Sequence, residues 1–143
     1  MIIGIGIDLT EVSRIKDSID MYGQSFLSRI YTLTEIAYCE SFSQNSMSHY
    51  TGFFSAKEAF SKALGTGIGK HCSFLSIEIS HDSHGKPIII INDSIKELIK
   101  DTQINLSISH TNNMAIAIVI LSKDEIIEPL LDTLSQSLIG QSI

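Results

Sequence analysis

Apolar residues at Ile3, Ile5 and Ile7 alternate with Gly4 and Gly6, the period-two pattern of a β-strand, and predict a strand ending near Asp8-Leu9. The interleaved glycines leave room for another element to approach the backbone closely. From Thr10 the rhythm changes to Val12, Ile15 and Ile19, a helical spacing with Thr10 as its expected cap and Glu11 in its first turn. Tyr22-Gly23 ends that helix. Phe26, Leu27, Ile30, Leu33, Ile36 and Ala37 predict one or two short helices, with Thr34 capping the second, and the polar run Ser41 to Ser48 predicts a loop.

The strongest helical signal lies between Thr51 and Leu64. Phe53, Ala56, Ala59, Phe60, Ala63 and Leu64 fall on one side of a 3.6-residue wheel, with Ser55, Glu58, Ser61 and Lys62 opposite. Gly65, Gly67 and Gly69 follow and predict its end. Leu75, Ile77 and Ile79 alternate as a strand, His81 to Pro87 reads as a turn, and Ile88 to Ile91 completes a hairpin. A helix over about 94–100 and two strands, Ile104 to Ser109 and Met114 to Leu121, joined near Asn112-Asn113, close the pattern. The tail from Glu128 is amphipathic.

A chain of 143 residues has room for one compact domain. Its apolar runs are too short for a membrane helix, so no membrane partner is expected. Met1 is followed directly by Ile2-Ile3-Gly4 without the features of a secretory signal, which makes the cytoplasm the expected compartment. Two cysteines, Cys39 and Cys72, read as reduced thiols. A net charge of −6 excludes broad nucleic-acid binding. The charge is unevenly spread: residues 1–123 hold all ten basic residues and twelve of the sixteen acids, a balance of −2. Both arginines, Arg14 and Arg29, fall in the first 30 residues, so an anion-binding face is expected near the amino terminus.

Asp8, at the end of the first strand, reads either as a turn or capping residue or as a group presented to a ligand. Glu58 and Lys62, at i and i+4, read either as a solvated ion pair contributing about 0.3–0.5 kcal/mol or as part of a site. If the helix packs on the first strand, Asp8 and Glu58 can share a hard divalent cation, and two carboxylates plus waters suit Mg²⁺. Gly65, Gly67 and Gly69 either expose backbone N–H groups to a phosphate or simply stop the helix. The run from Gly65 to Lys70 is not a P-loop: the spacing is one residue short, His71 stands where Ser or Thr is required, and the segment follows a helix. Gly4-Ile5-Gly6 lacks the third glycine of a dinucleotide fingerprint. His110 reads as a structural histidine or a phosphate contact, and His81 and His84 are expected to face water.

Gly4-Ile5-Gly6-Ile7-Asp8 with Arg14, the run from Phe54 through Lys57-Glu58 and Lys62 to Gly69, Gly85-Lys86-Pro87 and Ser109-His110 together closely resemble the holo-acyl-carrier-protein synthases, the short branch of the 4′-phosphopantetheinyl transferases. The resemblance covers about residues 1–122, taken as the transferase domain, and leaves 123–143 as an acidic extension of unassigned role. It implies an α+β fold, an antiparallel sheet packed against helices, and a homotrimer with active sites shared between subunits. The implied reaction moves the phosphopantetheine arm of coenzyme A to a serine of apo acyl carrier protein, releasing adenosine 3′,5′-bisphosphate, in support of fatty acid synthesis. Asp8 and Glu58 match the family's Mg²⁺ ligands. Lys62 matches a contact to phosphate or leaving group. Gly65, Gly67 and His110 match the coenzyme's surroundings, and Arg14 with Arg29, assisted by Lys16, matches the carrier-docking surface. The base that takes the serine proton is Glu58 or a metal-associated water. Phe53 stands where the family usually has Arg, removing one expected anion contact, and Ser55 replaces a usual Ala. Phe53 also motivates a rival reading, a non-catalytic relative that binds coenzyme A or carrier protein.

Overall fold

The computed structural model describes residues 1–124, so most of the carboxyl-terminal extension, including the amphipathic tail, lies outside the described residues. The order of elements is β1 (Ile2–Glu11), α1 (Val12–Tyr22), α2 (Gln24–Ile30), α3 (Leu33–Glu40), α4 (Ser46–Leu64), a 3₁₀ turn (Phe74–Ser76), β2 (Ile77–His81), β3 (Pro87–Ile91), α5 (Asp93–Leu98), β4 (Gln103–His110) and β5 (Met114–Ser122). An antiparallel sheet in the order β1-β5-β4 and an antiparallel β2-β3 hairpin surround α4. This is the α+β arrangement expected.

Helix α4 is the axis of the fold. Tyr50, Ala56, Ala59 and Phe60 are wholly buried, and so are Ser55 and Ser61, which the wheel put on the polar side. Both hydroxyls are satisfied locally, Ser61 donating to the Glu58 carbonyl at 2.8 Å and Ser55 to that of Ala115 at 3.4 Å. A one-sided wheel assumes one packing partner, whereas α4 is covered on several sides, so small polar residues enter the core wherever a carbonyl is in reach. The helix also begins at Ser46, inside the expected loop. Gly65 ends it with φ +83°, the left-handed conformation glycine adopts most readily.

Strand β1 runs to Glu11, two residues beyond its expected end, so Thr10 belongs to the strand and does not cap α1. Backbone pairing with β5 continues through Thr10–Ala115 and Glu11–Met114, which keeps these residues extended. Helix α3 is capped by Thr32, not Thr34. The Thr32 hydroxyl accepts from the Glu35 N–H at 3.2 Å and the Glu35 carboxylate accepts from the Thr32 N–H at 2.8 Å, a reciprocal capping box.

Gly4 and Gly6 have a specific cause. A Cβ on Gly6 would lie 1.8 Å from the Ala59 carbonyl oxygen, and one on Gly4 would lie 2.2 Å from that of Ala63. The element approaching β1 is therefore the backbone of α4. Strand alternation then places Asp8 and Thr10 on the helix face with the glycines, while Ile3, Ile5, Ile7 and Leu9 point away and are 47–59% exposed.

Candidate active site

The contact of α4 with β1 brings Asp8, Glu58 and Lys62 together. The Asp8 side chain is 13% exposed, and its two oxygens have separate partners: Oδ1 accepts from Lys62 Nζ at 2.8 Å, and Oδ2 accepts from the Thr10 hydroxyl at 2.7 Å. Lys62 also donates to the Ile7 carbonyl at 3.1 Å. The expected i, i+4 pair with Glu58 gives way to this cross-element bond, because the strand offers an acid and a carbonyl to the same ammonium. Glu58 is half-buried, and among the described residues its carboxylate has no hydrogen-bond or ion-pair partner. Burial raises its pKa most, followed by the charge of Asp8, while Lys62 and Arg14 oppose the shift. A half-buried acid beside a second acid, faced by Lys62 and Arg14, forms a site suited to additional positive charge.

Arg14 is exposed on α1, with its guanidinium 5.8 Å from the centre of the Phe54 ring and near enough to Glu58 to act on its charge. Arg29 lies exposed in the last turn of α2, without a contact to these groups among the described residues. Lys16 is engaged in an exposed ion pair with Asp20.

His110 closes the other end of the same face. In the sheet register Asp8 faces Ala117, which faces Ile108, and the next row on this side runs Thr10, Ala115, His110. Asp8 and His110 are thus two strands and two residues apart, about 12 Å by ordinary strand spacing and rise. His110 borders a cavity of about 200 Å³ with Tyr38, His49, Phe53 and His81. Tyr38 stacks on His81 at 4.6 Å and on Phe53 at 5.4 Å, and His49 meets the His110 ring edge-on at 6.0 Å. His81 therefore faces this cavity, not water, because the aromatic ring of Tyr38 offers a better neighbour; His84 is exposed as expected. Burial lowers the pKa of both His49 and His81. The charges of His110 and His81 reinforce the shift at His49, whereas Asp82 opposes it at His81. Phe53, only 2% exposed, is part of the cavity's ring stack.

The glycine segment differs from a phosphate cradle. The Gly65 N–H donates to the Lys62 carbonyl, that of Gly67 to Ser61, and that of Gly69 to Cys72. Those donors are spent on ending the helix and closing the loop.

Sequence reasoning missed Thr10, His49 and the cavity role of His81. Thr10 was legible in principle, since it lies two residues from Asp8 on one strand. The histidines come from α4's first turn and the end of β2, and only the fold joins them.

The model of the 4′-phosphopantetheinyl transferase superfamily matches residues 4–119. The holo-[acyl-carrier-protein] synthase of Nautilia profundicola is 51% identical over 119 residues, 83% of this chain and 99% of that protein. That of Halothermothrix orenii is 46% identical over 123 residues, covering 84% and 97%. The crystal structure of a holo-(acyl-carrier-protein) synthase from Bacillus anthracis in complex with CoA (3′,5′-ADP) superposes with a TM-score of 0.74 at 41% identity, covering 87% of this chain and 99% of that one. The synthase of Neisseria meningitidis gives 0.80 at 33% identity, covering 86% and 100%. An acid pair set across a glycine-lined helix–strand contact, carried on this fold and sequence, places the chain in the 4′-phosphopantetheinyl transferase superfamily, on its holo-acyl-carrier-protein synthase branch.

Proposed function

We propose that this chain transfers the 4′-phosphopantetheine arm of coenzyme A to a serine hydroxyl of an apo acyl carrier protein, releasing adenosine 3′,5′-bisphosphate. The observation that carries this reading is the meeting of Asp8 on β1 with Glu58 and Lys62 on α4. The transfer forms a bond from the serine oxygen to the phosphorus bearing pantetheine and breaks that phosphorus's bond to the bridging oxygen of the diphosphate. The serine proton must be accepted, and the leaving phosphate's charge must be met.

Asp8 and Glu58 would hold Mg²⁺. They are hard oxygen donors, and among the described residues no third His, Cys, Asp or Glu joins them in a metal-binding group. Two carboxylates suit an ion that keeps waters and takes substrate phosphates as its remaining ligands. When bound, Mg²⁺ supplies neutralisation of the diphosphate charge. The burial that raises the proton affinity of Glu58 supports it as an acceptor for the serine proton, directly or through a water. Lys62, half exposed beside Asp8, is the cation that would meet an incoming phosphate. The cavity with His110 would take the nucleotide end of the coenzyme, its stacked rings suiting a purine; Gly65 and Gly67 lie beyond the opposite end of α4 and do not line it. Arg14 and Arg29 would dock the acidic carrier. Fatty acid synthesis is the process this reaction serves.

The outward face of β1, continued by Ile116 and Ile118 on β5, is an apolar surface on a small chain. It supports assembly as a homotrimer, with neighbouring copies covering that face and completing the sites. Cys39 and Cys72 are buried free thiols, and burial raises both pKa values, in keeping with a reducing cytoplasm. Among the described residues no helix is long and apolar enough to cross a membrane.

Incubation with apo carrier protein, coenzyme A and Mg²⁺, followed by intact-mass measurement, tests the reading. A gain of one phosphopantetheine group on the carrier is expected. Binding of both substrates without that gain would favour the non-catalytic relative.

A further inference from the structure

Both oxygens of Asp8 are engaged by this chain's own groups. Lys62 holds Oδ1 at 2.8 Å, and Thr10 holds Oδ2 at 2.7 Å. Thr10 shares the strand and face of Asp8, is 2% exposed, and is fixed by pairing with Ala115. Lys62 is different. It sits in the last turn of α4, its side chain is 49% exposed, and its remaining bond is to the Ile7 carbonyl at 3.1 Å. An ammonium and a divalent cation placed on one carboxylate oxygen repel each other, and the half-exposed lysine is the partner that solvent can accept at small cost.

We propose that Lys62 acts as a stand-in counter-ion on Asp8, so that cation occupancy and Lys62 release are coupled: the ammonium becomes available to a phosphate only when a divalent ion has taken its place. The inference rests on the divalent-cation reading above. It concerns the order of events and makes Lys62 a positioning residue before it is a phosphate contact. Thr10, which need not move, keeps the carboxylate oriented throughout. Because a ligand must displace the resident pair, its apparent affinity is reduced by the fraction of molecules in which that pair is closed.

The test uses Mg²⁺ alone, without coenzyme or carrier. Calorimetric titration of the full chain and of Lys62→Met is expected to show Mg²⁺ bound several-fold more tightly by the variant. Because loss of any nearby positive charge would favour a cation, a second readout follows the lysine itself. In ¹³C-labelled protein the Lys62 ε-methylene signal is expected to move to the position of the free, solvated lysines as Mg²⁺ saturates. A Lys62 signal that stays at its metal-free position at saturation, or equal or weaker Mg²⁺ binding by Lys62→Met, overturns the coupling while leaving the metal site standing. Absence of any Mg²⁺ binding to either protein overturns both the coupling and the acid-pair reading. Transfer activity plays no part in these outcomes.

Discussion

Lys57 and Glu35 form a wholly buried ion pair at 2.7 Å, placed immediately before Glu58 in α4. Lys57 also donates to the carbonyls of Ile30 at 2.8 Å and Phe74 at 2.9 Å, while Glu35 accepts from the N–H groups of Ile79 and Thr32. One helix is thereby tied to α2, α3, the 3₁₀ turn and β2. Burial pushes Glu35 up and Lys57 down, and their mutual attraction opposes both shifts. Removing one partner leaves the other charge stranded. Lys57→Met is expected to cost about 3–5 kcal/mol in denaturant unfolding, and adding Glu35→Gln to recover part of that loss. A single variant as stable as the parent would show that the pair does not anchor α4.

The closeness of α4 to β1 sets a second expectation. Gly6→Ala forces a methyl group against the Ala59 carbonyl, so the helix must shift. A loss of about 3 kcal/mol is expected from overpacking, together with a higher Mg²⁺ concentration needed for half-maximal transfer, as Glu58 moves relative to Asp8. Unchanged thermal stability would mean that the contact is looser than described.

Arg14→Glu should raise the KM for carrier protein at least about tenfold, in line with reversal of a docking charge, while leaving the KM for coenzyme A nearly unchanged. Arg14 is exposed and rests against Phe54, so the fold should tolerate the change. Steady-state kinetics against each substrate separately decides the matter; an unaltered carrier KM removes Arg14 from the docking surface.

Much of this site was legible in the sequence, and what was hidden has physical reasons. The period-two run ending in Asp8 and the wheel carrying Glu58 pointed to both acids, and the glycines between the isoleucines announced a close approach. What a one-dimensional pattern does not contain is which face of a strand turns inward. Along β1 the small and polar residues face the helix and the isoleucines face out, against the usual hydrophobic-in alternation, because the approaching backbone leaves no room for side chains. Local chemistry also misled where two readings competed. Thr34 looked like a cap, but Thr32 had the glutamate three residues on that completes a reciprocal cap.

The exposed isoleucines lead to a prediction about assembly. If the homotrimer proposed above forms through this face, Ile7→Lys is expected to shift the protein from trimer to monomer in sedimentation and to abolish most transfer, since the lysine would stand buried and unpaired in the interface. A trimer that survives the substitution would place the contact elsewhere.

His49 and His81 make stability depend on acidity. Both have folded-state pKa values below the ordinary 6.5 of imidazole, so the unfolded chain binds protons more readily. Their contribution is present above about pH 6.5 and is lost as pH falls through that value toward the lower folded pKa. Unfolding midpoints are expected to drop between pH 7 and pH 5, and His49→Gln with His81→Gln to flatten that slope. An equally steep slope in the double variant would assign the acid sensitivity to other groups.

Strand β1 has no idle side. One set of alternate residues seats the helix and carries the acid, and the other set forms the apolar outer wall. On the metal site and homotrimer proposed above, a change meant to adjust the chemistry at Asp8 is separated by one peptide unit from a change that disturbs how copies meet. Tuning this enzyme through its first ten residues would then alter catalysis and quaternary structure together, so independent adjustment has to be sought in the loop after α4 and the β2–β3 hairpin.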